Sequence, residues 1–548
     1  MKLLESALLV LVFAVCGMSM PSPDTALTQG DFRVLVVLVE FSDVKFRSND
    51  PKSQFNDYLN KAGYNDYYNV GSVRDYFIKN SMGKFRPAFD VYGPVTLSET
   101  RDFYVGYDDS YNSINAGLVL KQSLDSLVSR GHSFSQYDSN EDNVVDYIVM
   151  IYAGISSSIT GIYTFHPFAG YLGDTRNKQS GKKIEENLYV NEFACTNEVG
   201  ERTYEKDNYT GILNGIGVFV HEFSHLLGLP DLYLQFNLVN KWSVMKNGCY
   251  NCPTNADYVT ACAPPLYSAF ERVSLRWLVP TEIKSEGHVQ LNKLDDNVAY
   301  SITNPTNPNE MYLLEYRTNL GWDSGQDTSG LLIWYVNYVE SGWNAIARNN
   351  VRVIEGDKNA IKIKVDGYEE GFSSPYDPLP GRGNVREFNR FVFSDGTNMN
   401  ITLSDITESP DKDFVTFKVT MGTPFKTELS SSSGTSFALN ISSSSAWSST
   451  PPYSLVYLKS ASSDALTQTV KHHASVVSQN GMITVNTPLL GQKTIRIFSL
   501  NGQVLFEKSM NGFEYQFQWP KSLGHQRVIL SVTQKNSELY MGMISYQR

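Results

Sequence analysis

The segment VFVHEFSHLLGLPDLY, residues 218–233, decides how the chain reads. It sets His221 and His225 four positions apart, with Glu222 beside the first. On a helix, positions i and i+4 lie one turn apart on one face, so both imidazoles reach a single metal ion. Glu222 stands where it can touch a water at that metal without being a ligand. Ile212, Leu213, Ile216, Phe219, Val220, Phe223 and Leu227 give such a helix apolar sides to bury. Gly228 permits the left-handed turn that ends a helix. The chain then doubles back through Leu229 and Pro230 to Asp231, where an oxygen can complete a site of three protein ligands and leave a fourth position to water. The competing reading is a buried helix whose two histidines are satisfied by carbonyl groups.

Outward from this segment the patterning is mixed. FRVLVVLVEF (32–41) and YIVMIYAG (147–154) read as strands buried on both faces. Residues 71–82 carry helical spacing with Gly83 as the stop, and 113–129 form a second amphipathic helix. Strands interleaved with helices predict an α/β or α+β domain over 28–285. From 286 to 421 the runs become short and alternating (MYLLEYR, GLLIWYVNY, VRVIEG, DFVTFKVTM), which predicts an all-β, sandwich-like module. Residues 422–479 are rich in serine and read as a linker or a small β unit. Residues 480–548 alternate again, and Asn501-Gly502 between two runs marks a hairpin.

Of 548 residues, 41% are apolar and 19% charged, enough apolar material for a sizeable core. A net charge of −11 excludes the concentrated basic face of a nucleic-acid binder. Residues 1–20 (MKLLESALLVLVFAVCGMSM) read as a secretory signal peptide, with a buried terminal strand or helix as the alternative. A secreted or cell-surface protein follows, expected to act as a monomer. Four cysteines then remain: Cys195, Cys249, Cys252 and Cys262. An even number in an exported chain predicts two disulfides, with the pairing open, over the zinc or redox chemistry that the C-x-x-C spacing of Cys249 and Cys252 also suggests.

A second cluster lies in YDSNEDNVVDY, residues 137–147. Asp138, Asn140, Asp142 and Asp146 take positions 1, 3, 5 and 9 of a calcium loop, and Val144 offers its carbonyl. Position 6 is Asn143 instead of glycine, and position 12 is Val149 instead of glutamate, so the loop is not a full EF-hand. A solvated acidic turn is the alternative.

FRVLVVLVEFSD (32–43), GSVRDYFIKNSMGKF (71–85), DVYGPVTL (90–97), HEFSHLLGLPDLY (221–233) and PPLYSAFERVSLRWL (264–278) together resemble the catalytic domain of the immune-inhibitor-A-type secreted metallopeptidases, a metzincin-like group. GLLIWYVNY (330–338) and DPLPG (377–381) resemble the β region that follows it. The resemblance implies a multidomain chain with an α/β zincin-like, metzincin-type catalytic domain followed by all-β sandwich-like modules. It implies zinc ligation by His221, His225 and Asp231, Glu222 as general base, and Met245, 14 residues past Asp231, in a turn beneath the metal. Protein or peptide substrates follow. Two positions depart from the family pattern. Ser224 replaces a frequent glycine, and Asn247 stands where some metzincins place a tyrosine that stabilises the oxyanion, leaving Tyr233 and Tyr250 as candidates. TIRIFSLNGQVLFEK (494–508) resembles type IX secretion sorting domains, which implies contact with secretion machinery or attachment at the cell surface. The expected function is a secreted zinc endopeptidase. The rivals are an inactive surface adhesin that binds through its β modules and a metal-dependent amidase acting on non-peptide substrates.

Overall fold

The β-branched run after Gly30 becomes an interior strand of a five-stranded sheet. In the computed structural model this strand, β1, spans Gly30–Glu40. Val34, Val36 and Leu38 enter one apolar cluster, and Leu35, Val37 and Val39 enter another. The described residues are 27–105, 116–156, 165–174, 177–200, 213–232, 239–253, 256, 259–338, 350–356, 362–365, 368–371 and 376–426, with short strands at 429–430 and 438–439 and seven strands between 475 and 544. The signal-peptide reading of residues 1–20 lies outside them.

Alongside β1 run β2 (Phe85–Thr96), β3 (Ile148–Ile155) and β4 (Phe168–Tyr171). A small hairpin of β5 (Lys182–Glu185) and β6 (Leu188–Val190) precedes β7 (Glu192–Val199). The sheet order is β2-β1-β3-β7-β4. Neighbours are parallel except β4, which runs antiparallel to β7 at the edge. Parallel strands need cover on both faces. Helices α1 (Pro51–Asn60), α2 (Val73–Asn80) and Ile216–Leu226 supply Phe55, Phe77, Phe219 and Phe223 to one face. Helices α3 (Arg101–Val105) and α4 (Ala116–Ser129) supply Tyr104, Val119, Leu120 and Leu124 to the other. Helix α2 starts at a Ser72–Asp75 capping box, and Gly83 takes the expected left-handed φ of 72° just past its end. The chain is thus mixed α/β in its first half.

The second half of the same compact unit is rich in sheet. Strands β8 (Thr281–Glu282), β9 (Gly287–Asn292), β10 (Tyr300–Asn304), β11 (Asn307–Arg317), β12 (Gly330–Asn337) and β13 (Val351–Ile354) follow one another. Five of them form a sheet in the order β13-β12-β11-β10-β8, while β9 joins strands Ile401–Glu408 and Phe414–Met421 in a three-stranded sheet. Alternation along β12 sends Leu331, Ile333 and Tyr335 into a cluster shared with Leu403, Val415 and Phe417. Leu332, Trp334 and Val336 enter the same cluster as Phe219 and Phe223 of helix 216–226. The β sheet and the motif helix therefore share one core.

Residues Ser449–Arg548 make up most of a second compact unit. It holds a three-stranded sheet (475–479, 482–486, 514–518) and a four-stranded one (504–511, 492–498, 528–534, 537–544). The strands flanking Asn501-Gly502 pair antiparallel, as the hairpin signal predicts, and the turn itself lies outside the described residues. Among the described residues no helix is long and apolar enough to cross a membrane.

The cysteine arithmetic needs correction. Cys252 pairs with Cys262, but Cys195 and Cys249 are free and buried. Cys195 packs on β7 as a small apolar side chain in the second core, and Cys249 sits against His221. Two buried thiols held in separate packing environments satisfy the even count without a second bridge.

Candidate metal centre

Helix Ile216–Leu226 is buried along its whole length. Its first turn is held by neighbours: Asn69 Oδ1 accepts from Ile216 N at 3.1 Å, and Ala261 O accepts from Gly217 N at 2.8 Å. Gly217 is required there, because a Cβ would stand 2.0 Å from the Cys249 carbonyl oxygen. The Cys252–Cys262 pair closes the loop that carries Ala261. At position 224 the Ser224 hydroxyl donates to Val220 O and is shared with the Tyr267 hydroxyl.

The other end of the helix finishes in a Schellman turn. Gly228, at φ 89°, donates to His225 O at 2.8 Å, and Leu229 donates to Ser224 O at 3.1 Å. This reversal delivers two groups to the histidines. The Leu229 carbonyl accepts from His225 Nδ1 at 2.8 Å, and two residues later Asp231 swings back toward both rings. His221 Nδ1 is matched in the same way by Val244 O at 2.8 Å. The carbonyl-satisfied reading of the histidines thus holds for one nitrogen of each ring. With each Nδ1 donating, each Nε2 carries its lone pair inward.

Those lone pairs converge. Asp231 Oδ1 lies 3.3 Å from His221 Nε2 and 3.2 Å from His225 Nε2, yet it is buried without a hydrogen-bond partner. Three such acceptors facing one another in a buried space suit a cation held between them. Ligand atoms about 2.0–2.2 Å from the centre of a tetrahedron stand roughly 3.3–3.6 Å apart, so the spacing suits zinc. Among the described residues this is the one cluster of three or more His, Cys, Asp or Glu side chains with metal-ligand spacing.

The electrostatics agree with that geometry. Burial raises the Asp231 carboxyl, but the two histidines outweigh it and hold it well below the usual carboxylate range. Burial opposes charge on both histidines, and the Asp231 carboxylate overrides it and raises both. Each shift marks a site that favours a positive guest. Burial pushes Glu222 up to about 7, against the pull of His221 and His225. Met245 is fully buried, and its carbonyl accepts from Leu232 N, next to Asp231 in the chain, at 2.9 Å.

The remaining candidates lie elsewhere or are differently employed. In the 138–146 loop, Asp138 accepts from Asp142 N and Asn143 N at 3.0 and 2.9 Å, and Asp146 from Ser139 N at 2.8 Å. Asn140 Oδ1 accepts from Asp142 N at 3.2 Å, and Val144 N donates to Asp142 Oδ1 at 3.0 Å. Asp142 Oδ2 pairs with Lys178 at 3.2 Å. Tyr250 is 42% exposed at the end of the turn 247–250, and Tyr233 lies outside the described residues. One neighbour escaped the sequence reading. Glu192, whose carboxylate accepts from Tyr171 at 3.2 Å, feels the charge of His225. It begins β7 with no motif around it, so nothing in the sequence marks it.

A search of curated proteins finds no match to the chain. Residues 24–277 match the family model of the immune inhibitor A peptidase M6 catalytic domain, and this region makes the protein a metallopeptidase that hydrolyses peptide bonds.

Proposed function

We propose that the protein is a secreted zinc endopeptidase in which His221, His225 and Asp231 hold the metal and Glu222 is the general base. The observation that carries this reading is the convergence of two Nε2 lone pairs and the unpartnered Asp231 Oδ1 next to the Glu222 carboxyl. When bound, zinc supplies a Lewis acid that polarises the scissile carbonyl and acidifies water. Glu222 takes the proton of the attacking water and passes it to the leaving nitrogen. The Val244 and Leu229 carbonyls fix the tautomer and tilt of the two rings. Among the described residues β4 is an edge strand packed against the motif helix, so an extended peptide can pair with its open side. Secretion is supported by the pattern of residues 1–20, and the strands within 480–548 serve sorting or surface attachment. Calcium is assigned to the Asp138–Asp146 loop, supported by Asn143, which takes φ 66° at the position the pattern reserves for glycine.

Casein zymography of the processed protein with and without a zinc chelator tests the reading. Clearing confined to the untreated lane is expected, and its absence would shift weight to a binding protein. Glu222→Gln should retain zinc and lose hydrolysis; wild-type turnover in that variant removes the residue from the mechanism.

A further inference from the structure

Against His221 the chain turns through Ser243, Val244 and Met245, and a buried carboxylate bonds the side chain that begins this turn. Glu271 Oε1 accepts from Ser243 Oγ at 2.6 Å. Ser243 Oγ in turn accepts from Met245 N at 2.9 Å. Between those two anchor points lies the Val244 carbonyl, the acceptor for His221 Nδ1 at 2.8 Å. Ser243 and Glu271 are both 0% exposed, so neither bond competes with water.

Glu271 is itself fixed from the opposite side. It is the third residue of helix Ala269–Ser274, where Oε2 closes a capping box by accepting from Ser268 N at 2.6 Å and Ser268 Oγ at 2.8 Å. Capping needs only Oε2. Oε1 is left to face the turn, and burying a carboxylate oxygen is costly unless it is bonded. The carboxylate therefore joins a rigid helix start to the backbone that orients a metal-site histidine.

We propose that Glu271 is a positioning residue for the metal centre: acting through Ser243, it sets the Val244 carbonyl and with it the tautomer and tilt of His221. The proposal rests on the zinc-peptidase reading above. Without the Ser243 bridge, the turn keeps its backbone bonds, from Lys246 N and Gly248 N to Ser243 O and from Leu232 N to Met245 O, but loses the side-chain bonds on either side of the Val244 carbonyl, which then holds its angle to the ring less tightly. Outer partners of ligating histidines typically carry about ten- to a hundredfold of metal affinity or activity.

The test uses the full processed chain, loaded with zinc or with cobalt, as Ser243→Ala, Glu271→Gln and Glu310→Gln. Ser243→Ala is the mild variant, removing the bridge while keeping the capping box. Glu310→Gln controls for general destabilisation, since that buried carboxylate bonds Asn304, Tyr335 and Ser394. In Ser243→Ala and Glu271→Gln, kcat should fall about ten- to a hundredfold with KM little changed, chelator-driven zinc loss should speed up by a similar factor, and the cobalt visible spectrum should shift. Glu310→Gln should lower the melting temperature and leave all three readouts in place. Folded Ser243→Ala with wild-type kcat, zinc retention and cobalt spectrum would overturn the proposal, as would equal losses in Glu310→Gln. Failure of the wild-type protein to hold zinc or cleave casein would instead sink the peptidase reading on which the proposal stands.

Discussion

Replacing Gly217 by alanine sets two opposing terms against each other at the start of the motif helix. Alanine is the better helix former, by about 1 kcal/mol in a helix interior. The new Cβ, however, would lie 2.0 Å from the Cys249 carbonyl oxygen and 3.0 Å from the Ala261 oxygen. Both are backbone atoms, so no side chain can rotate aside, and the helix must lift by roughly 1 Å or more to reach ordinary contact. Overpacking of this kind typically costs about 1–3 kcal/mol, and a backbone neighbour places it at the upper end. The net loss should be about 2 kcal/mol. Positions 217, 221 and 225 share one face, so the same lift moves His221 away from Asp231 and weakens metal retention. Gly117→Ala is the matched control. It lies in α4, and its Cβ meets only the flexible Leu172 side chain at 3.2 Å, so the propensity gain should survive. Thermal unfolding of the two variants should shift in opposite directions, and a chelator challenge should release zinc faster only from Gly217→Ala. A Gly217→Ala protein as stable as wild type would refute the close approach of helix and loop.

The pH profile of kcat/KM should show an acid limb set by Glu222. Burial pushes that carboxyl up to about 7, the base works only when unprotonated, and a dication at the histidines brings it back down. Activity should therefore fall as pH drops through a value below about 7, and a limb well above that value would exclude Glu222 as the base. Burial also raises Glu192, from 4.5 to about 8. Between those values the folded state keeps a proton that the unfolded chain has released, so stability falls as pH climbs through this window. Glu192→Gln should lose less melting temperature than wild type between about pH 5 and 9, and parallel curves would contradict the shift. At the 138–146 loop, calcium must displace the Lys178 ammonium from Asp142. Adding calcium after mild chelation should raise the melting temperature of wild type and leave Asp142→Asn unchanged; an equal response in both would remove the loop as the site.

The motif helix was legible because its information is local. The i, i+4 spacing fixes a face, Gly228 fixes the end of the helix, and a six-residue offset returns Asp231 to the same place. β1 was legible for a similar reason, since an unbroken β-branched run suits a strand covered on both sides. The groups that orient the histidines were not legible, because Val244 and Leu229 contribute only backbone carbonyls and any residue carries one. The cysteines misled for a physical reason: parity counts thiols, whereas bridging requires two of them to meet. Cys195 lies in one apolar core and Cys249 beside His221, each serving as a packed small side chain. Ser268 and Glu271 were not singled out in the sequence, and only the fold shows that they form a capping box whose second carboxylate oxygen is turned toward Ser243.

The physical unit that holds the proposed metal residues is longer than the stretch that matches the peptidase family. Arg317 lies on β11, beyond residue 277, with its guanidinium fully buried. It donates to Asp323 at 2.6 and 2.9 Å, to Glu315 at 3.1 Å and to the Trp242 carbonyl at 3.4 Å. Trp242 Nε1 donates to Asp377 at 3.1 Å, and Ala269 N donates to Glu315 at the start of the helix that carries Glu271. The segment 242–245 and helix 269–274 are thus anchored through charges supplied by residues 315–377. A buried ion pair adds little net stability while intact, yet removing one partner costs several kcal/mol because the other charge is left in a dry interior. A chain cut near residue 280 would keep every motif residue while removing these partners of the Trp242 carbonyl and indole and of the Ala269 amide. It would also uncover the Phe219 and Phe223 cluster that Leu332, Trp334 and Val336 now close. The residues that name the chemistry are contiguous in sequence, but the rigidity that chemistry needs is supplied from outside them.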